Sequence, residues 1–201
     1  MLDKNKTIIC AFVGIIFSLV LTSLVVDTKK ESLQKEIASE VLRFHVLANS
    51  DSKRDQELKM KVKEEVLSYM KEELPNSESL IETRNWTQNH IAEMEQIGRE
   101  ILLKHGCDYP VKVEITSCEF PEKTYGDITF PAGTYEALRI EIGEGAGQNW
   151  WCVLYPNLCF VDAIHAVVPE EGKHDLEEVL DDEAYEMVTS KTIFRIKWFF
   201  F

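Results

Sequence analysis

The sequence predicts an α+β fold, in which an apolar N-terminal helix precedes a strand, two helices and a mostly antiparallel sheet in a layered domain. Three observations support this prediction. Residues 8–26 form a run of 19 residues without charge or proline. Apolar residues then recur at helical spacing between residues 53 and 105. From residue 109 onward, apolar and polar residues alternate with the period of a strand.

The apolar run 8–26 is long enough to cross a membrane. At a rise of about 1.5 Å per residue it would give a helix of roughly 28 Å, close to the thickness of the hydrocarbon core. Lys4 and Lys6 precede it and favour a cytoplasmic N-terminus for residues 1–7. The rest of the chain is then expected outside the cytosol. An uncleaved transmembrane anchor and a signal peptide cleaved near residues 23–28 both remain open.

The next elements follow from turn and cap signals. Residues 27–40 have the composition of a polar stalk that could be helical, and residues 41–48 indicate a buried strand. Ser52 is expected to cap a helix that ends before Pro75. A second helix is expected over residues 79–105, with Gly106 as its C-terminal cap. Gly98, in the middle of its apolar stripe, would allow a close neighbour.

The C-terminal half is predicted to hold the sheet. Strands are expected at residues 111–115, 124–130, 134–142 and 150–155, separated by turns at 131–133 and 143–147. Residues 41–168 would then form the α+β domain. Residues 169–201 would form an acidic extension with one helix near 176–188 and an apolar end, 192–201, that docks on the core.

Charge and cysteine content narrow the function. The chain has a net charge of −13, which disfavours nucleic acid and anionic lipid headgroups as partners.

Cys152 and Cys159 flank the turn at Tyr155, and a hairpin there would place them at disulfide distance, so we predict that they pair. Cys107 and Cys118 flank a predicted strand. If that strand is extended, their Cα atoms lie about 30 Å apart, too far for a disulfide between them. Their state stays open.

The search for catalytic motifs finds none of the nucleophile elbows, zinc-binding helices or nucleotide-binding loops that carry common chemistries. The five histidines have no metal-ligand spacing on one element, and the glycines of 143–147 are followed by a strand rather than a helix. We therefore expect no enzymatic activity, no metal and no cofactor.

Surface recognition is the remaining chemistry. Two groups of residues are candidate partner contacts. The adjacent indoles on the 150–155 strand would point to opposite faces, so that one could serve as an exposed anchor beside the glycine-rich turn. The polar corner after the first strand supplies short side chains that either cap the helix or contact a partner. The candidates are Asn49, Ser50, Asp51, Glu144, Asn149, Trp150 and Trp151.

Three stretches of the chain together resemble the stage II sporulation protein R family of endospore-forming bacteria. They are LRFHVLANSDS at residues 42–52, with Asp55, Gln56, Leu58 and Lys59 following; Tyr125-Gly126 with FPAGTYEALR at residues 130–139; and IGEGAGQNWWCVLYPNLCF at residues 142–160. The resemblance covers about residues 1–165, whereas the acidic segment 170–190 matches only loosely.

The resemblance implies a signalling protein that is made in the forespore and exported into the space between the forespore and mother-cell membranes. Such proteins activate a membrane-embedded aspartic protease in the mother-cell membrane, which then processes pro-sigma-E. The family is not known for catalysis. An alternative from another class is a secreted hydrolase acting on the cell wall, which would need two carboxylates or a cysteine–histidine pair converging in a cleft.

Overall fold

The computed structural model describes residues 4–74, 79–159, 168 and 170–189, and over these residues it confirms the predicted α+β class. The helices are α1 (Lys4–Glu40), α2 (Lys53–Glu73), α3 (Leu80–Asn89), α4 (Ile91–Lys104), α5 (Glu170–Val179) and α6 (Asp182–Thr189). The strands are β1 (Leu42–Leu47), β2 (Val111–Phe120), β3 (Lys123–Tyr125), β4 (Ile128–Phe130), β5 (Gly133–Ile142) and β6 (Asn149–Tyr155).

Helix α1 joins the apolar run to the domain without a break. Its apolar part is exposed and is long and apolar enough to cross a membrane by length and composition. The expected polar stalk, residues 27–40, is the second half of the same helix. It does not stand apart from the domain, because Ile37 is fully buried and Gln34 Nε2 donates to the carbonyl oxygen of Thr134 at 3.3 Å. The stalk is therefore part of the domain's packing.

The central sheet has the strand order β2-β5-β1-β6. Strand β1 is parallel to β5 and antiparallel to β6, and β2 is antiparallel to β5. All six residues of β1 are buried, as predicted, because this strand is internal and is covered on both faces. A separate pair, β3 with β4, forms a small antiparallel hairpin.

Helices α2 and α4 cover one face of the sheet. Their buried stripes, which include Val62 and Leu102, pack against Phe44 and Ile140 from the strands. Gly98 lets β2 approach α4 closely, as expected, since a Cβ at this position would lie 2.9 Å from Val111 Cγ1. Gly106 takes the positive φ of a C-terminal cap.

The second predicted helix, 79–105, is in fact two helices. The break falls at His90, whose backbone leaves the helical region and ends α3 while beginning α4. The imidazole Nδ1 lies 2.7 Å from the carbonyl oxygen of Trp86, and the two rings stack at 4.1 Å between centroids. A histidine that binds the preceding turn in this way was not distinguishable by periodicity from one within a helix.

The end of α1, the β3–β4 hairpin, α5 and α6 cover part of the other face. Two predictions fail here. The expected strand 124–130 turns back on itself at Gly126, where φ is +61°, and forms β3 and β4. The expected helix 176–188 is divided between α5 and α6, because Asp181 Oδ1 accepts from the amide of Ala184 at 2.7 Å and starts a new helix. The apolar end 192–201 lies outside the described residues.

The strands give the domain a near end and a far end relative to α1. Gln34 contacts the first residues of β5, and both β5 and β1 run away from that point. From Val26 to Gln34 the helix rises roughly 12 Å, and the ten residues of β5 extend roughly 30 Å further. The far end, where β1 and β5 finish, therefore stands roughly 40 Å beyond the apolar run.

Candidate functional site

Two loops meet at the far end of the domain: the corner, residues 49–52, and the glycine loop, residues 143–148. Two backbone hydrogen bonds join them. The amide of Gly147 donates to the carbonyl oxygen of Ala48 at 2.9 Å, and the amide of Ala146 donates to the carbonyl oxygen of Asn49 at 3.2 Å. The two groups of predicted contact residues, which lie about 95 residues apart in sequence, are thus brought to one surface.

Asn49 links the two loops through its side chain. Its Oδ1 accepts from the amide of Glu144 at 3.0 Å, and its Nδ2 donates to Asp55 Oδ2 at 2.8 Å. Gly143 has a φ of +60°, and a Cβ at this position would lie 2.2 Å from Asn49 Oδ1. Glycine is required there for both reasons, because a side chain would strain the backbone and displace the amide.

Asp55, in the first turn of α2, is the acceptor at the centre of the corner. It is buried, and its Oδ2 also accepts from Ser50 Oγ at 2.6 Å. The hydrogen bonds from Ser50 and Asn49 lower the pKa of this carboxyl group. Ser52 caps α2 as predicted, with its Oγ accepting from the amide of Asp55 at 3.1 Å.

Lys59 ties the glycine loop to α2. Its Nζ donates to the carbonyl oxygen of Gln148 at 2.9 Å and to Gln56 Oε1 at 2.7 Å. The lysine is 5% exposed, and burial lowers its pKa. Gln148 also donates its amide to Asp51 Oδ1 at 2.7 Å. The sequence analysis did not select Asp55 or Lys59 as site residues, although both are charged residues on the buried stripe of α2 with Val62.

The seven predicted contact residues thus divide by exposure. Asp51, Glu144 and Asn149 are exposed at the far end, where a partner could reach them. Asn49 and Ser50 are half-buried and use their side chains within the corner. Their contribution to a contact surface is therefore to hold its shape.

The paired tryptophans lie on opposite faces of the sheet, as predicted, and each is half-buried. Trp150 packs edge-on against Phe44 at 5.5 Å between centroids, on the helical face, with Lys63 Nζ 5.1 Å from its ring. Trp151 stacks on His45 at 3.9 Å on the other face. Neither is a fully exposed anchor, since each indole has a ring partner from β1.

Arg43 and His45 lie on the face of β1 turned away from α2 and α4. Arg43 is fully buried, with its Nε donating to the carbonyl oxygen of Cys152 at 3.0 Å. Its guanidinium carbon lies 4.4 Å from the ring centroid of Phe120 and within 5.8 Å of three further rings. Among the described residues, neither ring nitrogen of the buried His45 has a hydrogen-bond partner of good geometry, although the side chain of Asn149 favours the charged imidazole. Burial lowers the pKa of His45 to about 4, partly opposed by Asn149.

Cys152 and Cys159 are both free thiols in the structure, so the predicted disulfide is not formed there. The turn expected between them is present at residues 156–157, directly after β6. Cys159 does not lie on a partner strand as a simple hairpin would require, but in the turn region that follows β6. The pairing remains a prediction.

Among the described residues, no three histidine, cysteine or carboxylate side chains lie close enough together to hold a metal ion. Glu36 and Asp181 form a carboxyl pair between α1 and α6 at the near end. The pKa of Glu36 is raised, mainly because the carboxyl group is partly buried and secondly because it forms a hydrogen bond with Asp181. This pair lies on a helix–helix contact next to the apolar run, far from the corner and the glycine loop.

Comparison with known proteins identifies the family. The family model for stage II sporulation protein R matches residues 38–165, which include the corner, the glycine loop and the whole central sheet. The stage II sporulation protein R of Bacillus subtilis (strain 168) is 34% identical over 191 residues, covering 89% of this chain and 84% of that protein. No solved structure matches the chain. The family is named for a stage of sporulation and not for a reaction. The chain belongs to the stage II sporulation protein R family.

Proposed function

We propose that the chain is an exported signalling protein that activates a membrane-embedded aspartic protease, which then processes pro-sigma-E during endospore formation. In this proposal the chain is made in the forespore and acts in the space between the forespore and mother-cell membranes. It contributes no catalytic group and acts by binding. The family membership and the apolar half of α1 support sporulation and export.

One observation carries the proposal further: the exposed contact candidates stand at the far end of the domain. Asp51, Glu144 and Asn149 lie where β1 and β5 end, roughly 40 Å from the apolar run. A protein anchored by α1 in one membrane would present these residues toward the opposite membrane. A partner embedded there would meet this surface first.

Charge indicates what the partner surface should be. The chain carries 35 acidic and 22 basic side chains, and Asp51 and Glu144 are acidic residues of the far end. A basic extracytoplasmic loop on the protease would complement them and speed the encounter. To activate the protease, the ligand must bind its active state more tightly than its resting state, since equal affinity shifts no equilibrium.

The soluble fragment 31–201 tests the signalling role. It keeps Gln34 and Ile37, which pack the stalk onto the domain. Exported behind a cleavable leader into cells that hold the protease and pro-sigma-E, it is expected to induce cleavage of pro-sigma-E, while the same fragment without a leader does not. Cleavage that requires residues 1–26 to stay attached would contradict a diffusible ligand.

Two charge reversals test the surface. Glu144→Arg at the far end is expected to reduce pro-sigma-E cleavage at least about tenfold without changing the folding of the domain. Glu122→Arg is the matched control, because Glu122 is also exposed but follows Phe120 at the near end. Normal signalling by Glu144→Arg, or loss of signalling in the control alone, would show that the contact lies elsewhere.

The hydrolase alternative makes a different prediction. Glu36, in α1, and Asp181, just before α6, are carboxyl groups that the structure places together. Release of wall fragments by the purified domain, abolished by Glu36→Gln, would favour that alternative over signalling.

A further inference from the structure

The two cysteines near β6 share one hydrogen-bond acceptor. Cys152 Sγ lies 3.8 Å from the carbonyl oxygen of Val153, and Cys159 Sγ lies 2.9 Å from the same oxygen. The two sulfurs are therefore at most about 6.7 Å apart, the sum of these distances. Both side chains belong to the core between the sheet and the helices, where Cys152 is buried and Cys159 packs against it.

The sheet topology separates this pair from the other described thiols. Cys118 belongs to the cluster on the opposite face of the sheet, so β-strands stand between it and Cys152. Cys107 precedes β2, which forms the other edge of the sheet from β6. Cys107 also precedes Val111, which pairs with Ile142 at the far end of the sheet, whereas Cys159 follows Tyr155, which pairs with Leu42 at the near end. Cys10 lies in the apolar part of α1.

We propose that the exported protein carries a disulfide between Cys152 and Cys159, formed by exchange with the disulfide of an extracytoplasmic thiol–disulfide oxidoreductase. The thiolate of the half-exposed Cys159 attacks a sulfur of the oxidoreductase disulfide, which forms a mixed disulfide and releases one enzyme thiolate. The Cys152 thiolate then attacks the Cys159 sulfur and expels the second. The two protons lost by the protein thiols pass through the solvent to the two enzyme thiolates, so that the oxidoreductase is reduced to its dithiol.

The bond would fix the chain after β6 to the edge of the sheet. Strand β6 is an edge strand, and the turn after it already returns to it through the amide of Leu158, which donates to the carbonyl oxygen of Val153 at 3.3 Å. A covalent link across the same turn closes a short loop at this edge. Since unprotected edges invite pairing with other chains, the link would also limit such contacts.

The proposal rests on export, because the exchange needs an oxidising compartment. It does not rest on the signalling role. Folded protein would react slowly, since burial raises the pKa of the Cys159 thiol and disfavours the reactive thiolate. The exchange is therefore expected as the chain emerges and before β6 is packed.

The test is a mass measurement of the full chain recovered from cells that export it, after acid quenching and alkylation without reductant. The exported protein is expected to carry two alkyl groups fewer than the same chain reduced before alkylation, and digestion yields one cross-linked peptide joining residues 152 and 159. Cys118→Ser is expected to keep this link. The fragment 31–201 without a leader, which stays in the cytosol and lacks Cys10, is expected to carry four alkylated thiols at Cys107, Cys118, Cys152 and Cys159.

Alkylation of both Cys152 and Cys159 in the exported protein would overturn the proposal, as would a link from either residue to Cys107 or Cys118. These readouts are independent of pro-sigma-E cleavage. A missing bond in a protein that signals overturns the disulfide alone. A bond present in a protein that fails to signal leaves the disulfide in place and contradicts the proposed function.

Discussion

Replacing His45 with phenylalanine should make the domain's stability less sensitive to acid. His45 is 5% exposed, stacks on Trp151 and, within the described part of the chain, has no hydrogen-bond partner of good geometry for either ring nitrogen. Its charged form would be buried beside Arg139, which opposes protonation further. The neutral ring therefore behaves as an aromatic core residue, which phenylalanine can replace without leaving a polar partner unpaired.

The magnitude follows from the pKa of His45, which falls from 6.5 in the unfolded chain to about 4 in the folded domain. Between these values the unfolded state binds more protons, so stability is lost as the pH falls. For a single group with these constants, acidification from about pH 7 to about pH 4.5 costs about 2 kcal/mol. The His45→Phe variant should lack this contribution.

Urea unfolding of the fragment 31–201, followed by circular dichroism at both pH values, measures how far the free energy of unfolding of each protein falls on acidification. The parent should lose about 2 kcal/mol more than His45→Phe on acidification. His174→Gln is the control: His174 is exposed on α5 and its pKa is raised, which favours the folded state on acidification, so this variant should lose at least as much stability as the parent. Equal losses in parent and His45→Phe, within about 0.5 kcal/mol, would refute the assignment of a buried neutral imidazole.

Five further substitutions test the corner, the glycine loop and the α1 contact by urea unfolding of a fragment 27–201, which keeps Lys29. Asp55→Ala should cost about 3 kcal/mol because it strands two side-chain donors, whereas Glu57→Ala on the exposed face of α2 should stay within about 0.5 kcal/mol. Gly106→Ala should cost about 1 kcal/mol for its φ of +66° alone, and Gly143→Ala should cost clearly more because its new Cβ also meets a side chain of the corner. Lys29→Ala should change stability by less than about 0.5 kcal/mol, since its ion pair with α6 is exposed on both sides. Equal losses within either matched pair, or a large loss for Lys29→Ala, would contradict the contact concerned.

Local signals in the sequence predicted most of the fold. The apolar residues of β1, the Ser52 cap and the alternation after residue 109 each depend on neighbours in sequence, and each appears in the structure where expected. The breaks were missed where a polar side chain competes with the helix. His90 and Asp181 end or begin helices through hydrogen bonds that a periodic pattern does not encode.

The candidate site was predicted less completely, because its geometry depends on contacts across about 95 residues. The sequence placed Asn49 and Glu144 on two surface loops but could not show that the side chain of one binds the amide of the other. Once that bond is made, Asn49 becomes part of the framework and Glu144 remains at the surface. Lys59 could have been noticed as a charged residue on an apolar stripe, although its acceptor in the glycine loop could not.

Because helix α1 is unbroken, there is no flexible hinge at the point where the chain would leave the bilayer. While the apolar half stays in the lipid, the domain must follow its inclination, because the other half is packed on the sheet. Transmembrane helices commonly lean, and at roughly 40 Å a change of about 10° sweeps the far end sideways by about 7 Å. Bilayer thickness would then influence where Glu144 stands in the gap between the two membranes, and release of the apolar half would abolish that influence.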